Sequence, residues 1–559
     1  MAPGRPQVAL KLLPSLADFA FLMPFAFLFG RMNGAGALLG DGDTGWHIRT
    51  GEWILAHHAV PTQDLFSFSR PGAPWFAWEW LSDVLLACLN GVGGLPAVTL
   101  AAVVMLGVTF VLLFRLVRRK VNPILAFVVT AIALAASSVH WLARPHLFTL
   151  LFAVVFYTIL ERVREGRTRL AGVPCLAVLL PAATILWTNL HGGFFVGILM
   201  ISAYAAGDAL EAILATGPEG GRRASRRARQ CAASALLCLA ASLVNPYTYH
   251  LHTHIVAYLG DPYLSQHIDE FLTLSFHHPA AIFFEALLLA GAAAAVWYLS
   301  TGRLTEFLLL AMWGHAALLA GRNIPIFVVL AAPPVAEAVA RWLSLLPVSD
   351  LPARLKSAGA RLSGTCAGLA ELDRVPRWHV ASVAGALLVA ALLFAPAPPK
   401  AFRAEYDPQQ FPAAAVEMLR GDRAARIFTN DSWGGYLIYR LYPATRVFVD
   451  GRSDFYGADF SEGYIDVLSV KYDWEKTLGR FGVNTILLPT SAPLAGALKE
   501  SARWRVAYDD GVAVVFRSSR RAVGETISAT AGGDGISRDR EITKTEARGR
   551  EIAQLKPRI

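Results

Sequence analysis

Residues 41–47 read Asp41-Gly-Asp-Thr-Gly-Trp-His47 and follow directly after the first long apolar run of the chain. Ionisable groups beside a membrane span indicate a functional site, because charge is costly to bury next to hydrocarbon. Two carboxylates two positions apart could deprotonate an acceptor or hold a divalent cation beside a lipid-borne phosphate. The structural alternative is that Asp43 caps a helix beginning at Thr44, while Asp41 lies in solvent. The sequence around this stretch favours the functional interpretation.

The composition of the chain is that of a membrane protein. Hydrophobic residues make up 55% of the 559 residues, charged residues only 17%, and the mean hydropathy is +0.44. An ordinary soluble domain has about 25% charged residues. A helix that crosses a hydrocarbon core of about 30 Å needs about 20 apolar residues. On that basis we predict eleven spans, near residues 14–38, 84–114, 122–139, 146–160, 173–189, 193–215, 231–245, 280–299, 305–320, 324–343 and 379–396.

The distribution of lysine and arginine predicts the orientation of the chain. Loops between alternate spans hold most of these residues and are expected to face the cytoplasm, as is the N-terminus. These basic loops lie at 115–120, 162–169, 222–229 and 354–377. The opposite loops, including a long first outward loop at 39–80, are rich in Asp, His, Trp and Tyr. We therefore assign the net charge of +9 to topology and to contact with the lipid bilayer, with no nucleic acid as a partner.

The chain divides into three predicted parts. Residues 1–398 form the membrane domain, 399–517 a soluble extracytoplasmic α/β domain, and 518–559 a disordered tail. Within the soluble domain, β-branched runs predict strands at 426–429, 446–449, 483–488, 504–508 and 512–516. Helices are predicted near 410–420, 432–441, 473–481 and 493–501. This alternation predicts a small, largely parallel sheet that ends in a hairpin.

The first outward loop has a helical pattern of its own. Residues 44–60 place Trp46 and Trp53 on one face and His47 elsewhere, as in a helix that lies in the plane of the membrane interface. A Trp-rich segment around Glu79 then leads into the second span. Tryptophan is enriched at headgroup depth, which is also the depth of a lipid-linked phosphate. His47 and Glu79 are therefore candidate substrate contacts.

Two outward arginines form a second set of candidates. Arg144, followed closely by His146, lies at the entrance to the fourth span, and Arg322 lies at the outward end of the ninth. A planar guanidinium group suits a phosphate, and the positive-inside rule otherwise removes cations from this side. The alternative is that both side chains only reach lipid headgroups.

A tight outward turn between the fifth and sixth spans reads Asn189-Leu-His-Gly-Gly193. Asn189 and His191 could donate hydrogen bonds to a ligand that the glycines allow to approach the backbone. The glycines could equally serve only to turn the chain.

Two further polar groups have simpler explanations beside the functional ones. His250, His252 and His254, with residues 267–270, have no fixed fourth metal ligand, which favours aromatic packing or hydrogen bonds to sugar hydroxyls over zinc. Residues 431–436 and 450–454 follow two predicted strands and could face a polar acceptor. Their glycines match no phosphate-binding fingerprint, and turn formation explains them as well.

Together these features resemble the GT-C superfamily of integral-membrane glycosyltransferases, which includes oligosaccharyltransferases and protein O-mannosyltransferases. The resemblance rests on an Asp-x-Asp after the first span, an interfacial helix in the first outward loop and an outward C-terminal domain, and it covers about residues 10–345. Four stretches also resemble bacterial members: Asp43-Thr-Gly-Trp-His47, Thr50-Gly-Glu-Trp53, Asp64-Leu-Phe-Ser-Phe68 and Trp78-Glu-Trp-Leu81. The chain has no Trp-Trp-Asp motif, so transfer to an Asn sequon is not implied.

The resemblance implies an inverting transfer of a sugar from a polyprenyl-phosphate carrier to a lipid, glycan or protein outside a bacterial inner membrane. Asp43, rather than Asp41, would act as the base, while Arg144 and Arg322 stabilise the departing phosphate. The other implied substrate contacts are His47, Glu79, His146, Asn189 and His191. No cofactor is assigned, although an Asp-x-Asp pair could hold Mg²⁺ or Mn²⁺. One alternative is a flippase of lipid-linked sugars, which would be expected to have polar groups at mid-membrane depth. The other is a non-enzymatic membrane scaffold.

Overall fold

The computed structural model describes residues 11–345, 352–372 and 375–519. Of the predicted tail 518–559, only the first two residues belong to this part.

Helices account for most of the membrane domain. In chain order they are α1 (Leu16–Arg31), α2 (Asp43–His57), α3 (Trp80–Arg118), α4 (Pro123–Ser137), α5 (His146–Arg164), α6 (Leu180–Leu190), α7 (Phe195–Leu214), α8 (Pro218–Ala241), α9 (Tyr249–Leu259), α10 (Pro262–His267), α11 (Ala281–Ser300), α12 (Leu304–Leu319), α13 (Ile324–Leu345), α14 (Ala353–Leu372) and α15 (Val380–Leu393). A short hairpin of β1 (Arg169–Leu170) and β2 (Val173–Pro174) lies between α5 and α6.

Within the described residues, six helical stretches are long and apolar enough to cross a membrane: Trp80–Arg118, Pro123–His140, His146–Arg164, Gly192–Leu214, Ala281–Ser300 and Gly321–Leu345. Three shorter apolar helices fall on further predicted spans: Cys175–Leu190, Leu304–Leu319 and Val380–Leu393. The first predicted span contains α1, and the predicted span 231–245 covers the end of α8 and the turn after it. The predicted class of polytopic helical membrane protein is confirmed, while the number of eleven spans stays a prediction.

Local sequence explains where several helices begin and bend. Ser15 and Asp18 form a reciprocal capping box at the start of α1, and the Asn122 side chain caps α4. The α3 segment is longer than a bilayer requires, and its backbone leaves the helical conformation at Gly93 and Gly94. Gly94 has a φ of +63°, which glycine adopts without strain. The predicted span at 84–114 is therefore a bent pair of helices.

Ion pairs hold the bundle together at the end that carries the basic loops. Arg164 at the end of α5 lies 3.1 Å from Glu306 of α12, and Lys120 lies 2.7 Å from Glu161 of α5. Arg227 of α8 donates hydrogen bonds to the buried Asp208 of α7. Because one helix of 19 residues is about 28 Å long, this network lies far from the opposite end of α5, where Arg144 is found.

The C-terminal domain contains a four-stranded sheet of β3 (Ile427–Thr429), β4 (Thr485–Pro489), β5 (Trp504–Asp509) and β6 (Ala513–Ser518), in the order β3-β4-β6-β5. Its helices are α16 (Ala413–Leu419), α17 (Asp431–Leu441), α18 (Ser453–Leu468), α19 (Trp474–Arg480) and α20 (Pro493–Glu500). Four of the five predicted strands and all four predicted helices are present, and α18 is an addition that the sequence analysis missed.

The sheet ends in the predicted hairpin of β5 and β6, but its four strands are mixed rather than largely parallel. Only β3 and β4 are parallel, and β6 pairs antiparallel with both of its neighbours. The predicted strand at 446–449 forms only isolated bridges: Val447 pairs with Ile427 of β3 on one side and with Ser67 of the first outward loop on the other. The membrane domain therefore contributes backbone to the edge of this sheet.

A buried arginine joins the first outward loop to the C-terminal domain. Arg452 is 2% exposed and donates hydrogen bonds to Asp64 in the loop and to Asp450 beside it in the chain. Its guanidinium also lies 4.5 Å from the ring centre of Trp75. The Asp64–Phe68 stretch, which carried part of the family resemblance, is thus the docking site of the soluble domain.

Helix α2 packs between α3 of the membrane domain and α17 of the C-terminal domain, while its place in the plane of the membrane interface stays a prediction. A Cβ added at Gly51 would be 1.9 Å from the carbonyl oxygen of Asp83 in α3. On the other side of α2, a Cβ added at Gly42 would be 2.4 Å from the carbonyl oxygen of Ser432 in α17. A Cβ added at Gly435 would be 2.4 Å from the carbonyl oxygen of Gly42. The glycines of both segments therefore permit backbone contact that any side chain would prevent, and their role is not turn formation.

Candidate active site

One cavity of about 490 Å³ lies at the end of the helical bundle, beneath α9 and the turn Asp269–Phe271. Its wall includes six of the nine predicted site residues, namely His47, Glu79, Arg144, His146, His191 and Arg322. They come from the first outward loop, from α2 and from the N-terminal ends or flanks of α5, α7 and α13. The outward loops therefore do bring these side chains to one place.

Arg144 forms the centre of the charged part of the site. Its Nη1 lies 2.8 Å from Asp41 Oδ2 and its Nη2 lies 2.9 Å from Asp43 Oδ2. Asp41 and Asp43 do not line the cavity, whereas Arg144 does. The guanidinium therefore lies between the acid pair and the cavity, and its contacts with two protein carboxylates argue against a purely membrane-anchoring role.

The capping alternative for Asp43 was wrong. Helix α2 begins at Asp43 itself, and its N-cap residue, Gly42, makes no side-chain cap. The Asp41 carboxylate instead accepts a hydrogen bond of 3.1 Å from the backbone N–H of Asp43. Burial raises the pKa of Asp43, while Arg144 acts in the opposite direction.

Glu79 faces the cavity between two histidines. Its Oε2 lies 3.6 Å from His47 Nε2, and its Oε1 lies 3.3 Å from His191 Nε2. His47 Nδ1 in turn lies 2.6 Å from Asp83 Oδ1, and both side chains of this second pair are fully buried. Burial raises the pKa of Glu79 to about 8, despite the opposing effect of Arg144.

The hydrogen bonds around the histidines define which nitrogen carries the proton. His191 Nδ1 accepts from the backbone N–H of Gly193 at 2.9 Å, so in the neutral ring the proton lies on Nε2 and points to Glu79. Burial lowers the pKa of His191 to about 3 and that of His47 well below its usual value. Burial therefore favours the neutral form of both rings. Thr149 lies 2.7 Å from His191 Nδ1 and fixes the ring orientation.

Arg322 is held on the far side of the cavity by Glu270, which the sequence analysis considered only together with the histidine cluster. Its Nη1 donates to Glu270 Oε1 at 3.2 Å, and its guanidinium lies 4.4 Å from the ring centre of Phe271. Burial raises the pKa of Glu270, but Arg322 and Arg144 outweigh it and lower the pKa to about 2. Glu270 and His140, which lie 3.8 Å apart at their nearest polar atoms, are additional wall residues.

The remaining wall is apolar and reaches the outside of the bundle. It includes Leu199 of α7, Met312 and Trp313 of α12 and Ile326 of α13. Leu199 is 48% exposed and Met312 is 40% exposed, although both also line the cavity. The cavity thus has a charged inner end and an apolar side that continues to exposed apolar side chains on the outside of the bundle.

Asn189 does not belong to the cavity, which corrects one predicted contact. Its side chain accepts a hydrogen bond from Trp80 Nε1 and donates to the backbone carbonyls of Ile185 and Val244. These bonds use its full side-chain amide, so Asn189 braces α3 against α6 and the turn after α8. A Cβ at Gly193 would lie 2.3 Å from Thr149 Oγ1, so the glycine there permits a contact within the protein.

The predicted histidine cluster lies on α9 beside the cavity without lining it, and its histidines show no metal-ligand arrangement. His254 Nε2 lies 3.0 Å from Asp454 Oδ2 and its ring stacks on Phe76 at 4.6 Å, which is the aromatic packing expected. His252 lies 2.8 Å from Ser242 Oγ instead. Throughout the described ranges, no three or more His, Cys, Asp or Glu side chains are grouped to hold a metal ion.

No protein-family model and no curated protein matches this sequence. The fold is similar to solved structures of an oligosaccharyltransferase from Archaeoglobus fulgidus. The form tethered with an acceptor peptide containing the NVT sequon aligns with a TM-score of 0.54 and 12% identity, over 90% of this chain and 74% of that chain. AglB from the same organism, with an inhibitory peptide and a dolichol-phosphate, aligns at 0.51 and 12%, over 92% and 74%. The complex with Zn and sulfate aligns at 0.50 and 12%, over 90% and 73%.

These similarities define the class of the protein. It is a polytopic helical membrane protein with an oligosaccharyltransferase-like fold and a small C-terminal sheet domain, and its structural neighbours belong to the GT-C superfamily. The fold class expected from the sequence is confirmed. At 11–12% identity the similarity concerns the fold alone, so activity must be argued from the site.

Proposed function

We propose that this protein is a membrane glycosyltransferase that moves a sugar from a polyprenyl-phosphate carrier to an acceptor outside the membrane, with inversion at the anomeric carbon. The observation that carries this proposal is the shape of the cavity: an apolar side that opens to the outside of the bundle leads to an inner end that holds Arg144, Arg322 and Glu79. A polyprenyl phosphate likewise has an apolar chain that ends in a charged phosphate.

The donor would place its prenyl chain along Leu199 and Met312 and its phosphate between the two arginines. Arg144 and Arg322 line the cavity from different sides, and each keeps N–H groups beyond those bound by carboxylates. As the bond between the anomeric carbon and the phosphate oxygen breaks, its electron pair leaves with the phosphate. The two guanidinium groups would stabilise that developing charge in a site shielded from water.

Glu79 is the carboxylate best placed to take the acceptor's proton. It lines the cavity, whereas Asp43, the base expected from the sequence, lies behind Arg144. The His191 Nε2–H orients one oxygen of Glu79, and His47 Nε2 faces the other with its Nδ1 held by Asp83. The acceptor oxygen would attack the anomeric carbon on the face opposite the phosphate while its proton passes to Glu79, which gives inversion.

The site lies at the ends of helices, which favours chemistry at the membrane surface over transport. Arg144 precedes α5, His191 follows α6, and Arg322 lies between α12 and α13. A flippase of lipid-linked sugars would use polar groups and broken helices at mid-membrane depth. A scaffold would need no buried Glu79 between two neutral histidines.

We further propose a bacterial inner-membrane location, with the N-terminus in the cytoplasm and the site and C-terminal domain outside. The basic loops and their ion-pair network lie at the opposite end of the bundle from the cavity, as the positive-inside rule requires for that orientation. The dolichol-phosphate and acceptor peptide of the archaeal neighbours support a lipid-linked donor and an external acceptor of unassigned class here.

The test is release of lipid phosphate. Purified protein in detergent is incubated with short-chain polyprenyl-phosphate sugars, and the free polyprenyl phosphate is measured with and without candidate acceptors. We expect release by the wild type and by Glu219→Gln, a matched control at an exposed position, and strongly reduced release by Glu79→Gln. Equal release by all three proteins would exclude Glu79 as the base. Vesicle assays that show sugar-lipid movement without release would support the flippase.

A further inference from the structure

The acid pair of this site has the sequence pattern of a divalent-cation site, but a guanidinium occupies it. Arg144 Nη1 and Nη2 lie 2.8 and 2.9 Å from Asp41 Oδ2 and Asp43 Oδ2, so one planar group contacts both carboxylates. Arginine remains charged at any physiological pH, and its fork matches two carboxylate oxygens.

Of the other two carboxylate oxygens of the pair, one accepts a hydrogen bond and the other is covered by close packing. Asp41 Oδ1 accepts the backbone N–H of Asp43 at 3.1 Å. Asp43 Oδ1 lies against the backbone of Gly451 so closely that a Cβ added there would be 2.0 Å away. Mg²⁺ needs near-octahedral oxygen ligands at about 2.0–2.1 Å, which requires open oxygens on more than one side. The acid pair therefore does not fit a metal ion while Arg144 is in place.

Arg144 also reaches the cavity where the donor phosphate would lie. It is a wall residue, whereas the two aspartates are not. It thus has acids on one side and the cavity on the other, which is the position that a cation bridging carboxylates and phosphate would take. One of the structural neighbours was solved with Zn and sulfate, so cations are compatible with the fold.

We propose that the Arg144 guanidinium takes the place of a divalent cation in this protein, linking Asp41 and Asp43 to the donor phosphate, so that transfer requires no metal. The part of the inference that concerns the donor phosphate rests on the proposed function. The part that concerns the metal ion depends only on the acid pair and can be tested without any activity.

The first test measures Mn²⁺ binding to the purified full-length protein in nanodiscs of zwitterionic lipid, by the loss of the free Mn²⁺ signal in electron paramagnetic resonance. We expect the wild type and the Asp41→Asn/Asp43→Asn double variant to give the same titration. A saturable site of one Mn²⁺ per wild-type protein that disappears in the double variant would overturn the proposal.

The second test removes the guanidinium. Arg144→Gln keeps a polar but shorter side chain and frees both carboxylates, so we expect it to gain one saturable Mn²⁺ site that Arg144→Gln/Asp41→Asn lacks. A folded Arg144→Gln protein with no such site would contradict the inference. Size-exclusion chromatography and circular dichroism establish whether the variant is folded, and the wild-type titration decides the metal question if it is not.

The third test uses transfer itself. Wild-type turnover should be unchanged by 1,2-diaminocyclohexane tetraacetate or by added Mn²⁺, and loss of turnover with the chelator that Mn²⁺ restores would overturn the proposal. If no donor is turned over at all, the proposed function fails, whereas the Mn²⁺ titrations still decide whether the guanidinium excludes a metal ion. The two failures are therefore distinguishable.

Discussion

Replacing Glu79 by glutamine tests the proposed base most directly. The substitution preserves the size of the side chain and its contact with His191 Nε2–H, but it removes the oxygen that accepts a proton. General base catalysis contributes about 10²- to 10⁴-fold to rate, so we expect kcat/KM to fall by about that factor while the protein folds and inserts normally.

The pH dependence of kcat/KM is a second, independent test of Glu79 as the base. Burial raises the pKa of Glu79 to about 8, so the base is the minor, ionised form at pH 7. With a pKa of about 8 the ionised fraction is about one tenth at pH 7 and about one hundredth at pH 6. The kcat/KM of the wild type should therefore rise about tenfold per pH unit up to pH 8 and then level off, because this parameter reports the pKa of the free enzyme.

The assay follows initial rates of polyprenyl-phosphate release from pH 5.5 to 9.5 for the wild type, Glu79→Gln and the exposed control Glu219→Gln. The control should reproduce the wild-type profile. A wild-type profile that is flat above pH 6, or a Glu79→Gln protein within threefold of the wild-type rate, would refute the reasoning. Near-wild-type activity of Glu79→Gln would return the role of base to Asp43, whereas a profile that is flat above pH 6 would exclude a base of raised pKa at either position, since burial raises the pKa of Asp43 to about 7.

Four other perturbations test separate parts of the structure. In a background without native cysteines, Tyr472→Cys should react with a membrane-impermeant maleimide in intact cells and Glu219→Cys should not; the reverse pattern would invert the orientation. Arg144→Lys should insert normally yet lower kcat/KM at least tenfold, about 1.4 kcal/mol, since an ammonium cannot contact two carboxylates and a phosphate alike; unchanged kinetics would make Arg144 a membrane anchor. Asp43→Asn should lower turnover through Arg144 but retain the pH profile assigned to Glu79, and a lost profile would identify Asp43 as the base. Arg452→Met leaves two buried carboxylates unpaired and should cost about 3–5 kcal/mol, seen as a lower unfolding temperature in detergent; an unchanged temperature would show that the pair is dispensable.

The parts of the fold that the sequence predicted are those set by local chemistry. Apolar runs and basic loops predicted most helices, and β-branched runs predicted β3 to β6 within a few residues. The segment expected as a strand around Val447 forms only isolated bridges, and one of them is to Ser67 of the membrane domain. No pattern within the soluble segment could reveal a pairing partner almost 400 residues earlier in the chain.

The site was predictable where residues lie at the junction of a loop and a span, but their partners were not. Arg144 and Asp41 are 103 positions apart, and Arg322 and Glu270 are 52 apart. Each residue carries a charge that needs compensation when buried, but the sequence gives no indication of which opposite charge provides it. Glu270 could have been selected from the sequence because it is a carboxylate beside Phe271 in an outward loop.

Asn189 and His191 show how a shift of two positions separates a structural residue from a site residue. Asn189 lies in the last turn of α6 and faces Trp80 and the carbonyl of Val244. His191 follows the helix in an extended conformation, with φ of −162° and ψ of 142°, which turns its ring toward Glu79. The sequence showed both as polar residues of one turn, and only the exact end of the helix distinguishes them.

The glycines explain why the soluble domain cannot be treated as a separate module. Gly42 and Gly45 of the first outward loop meet Gly435 of α17 through backbone contacts, and Gly451 lies against the Asp43 carboxylate. A side chain at any of these positions would push the soluble domain away from the acid pair that holds Arg144. The C-terminal domain therefore closes one side of the site and limits which oxygens of Asp41 and Asp43 are open. Its strands contribute no residue to the wall of the cavity. Its position nevertheless affects the chemistry of the cavity through the acid pair.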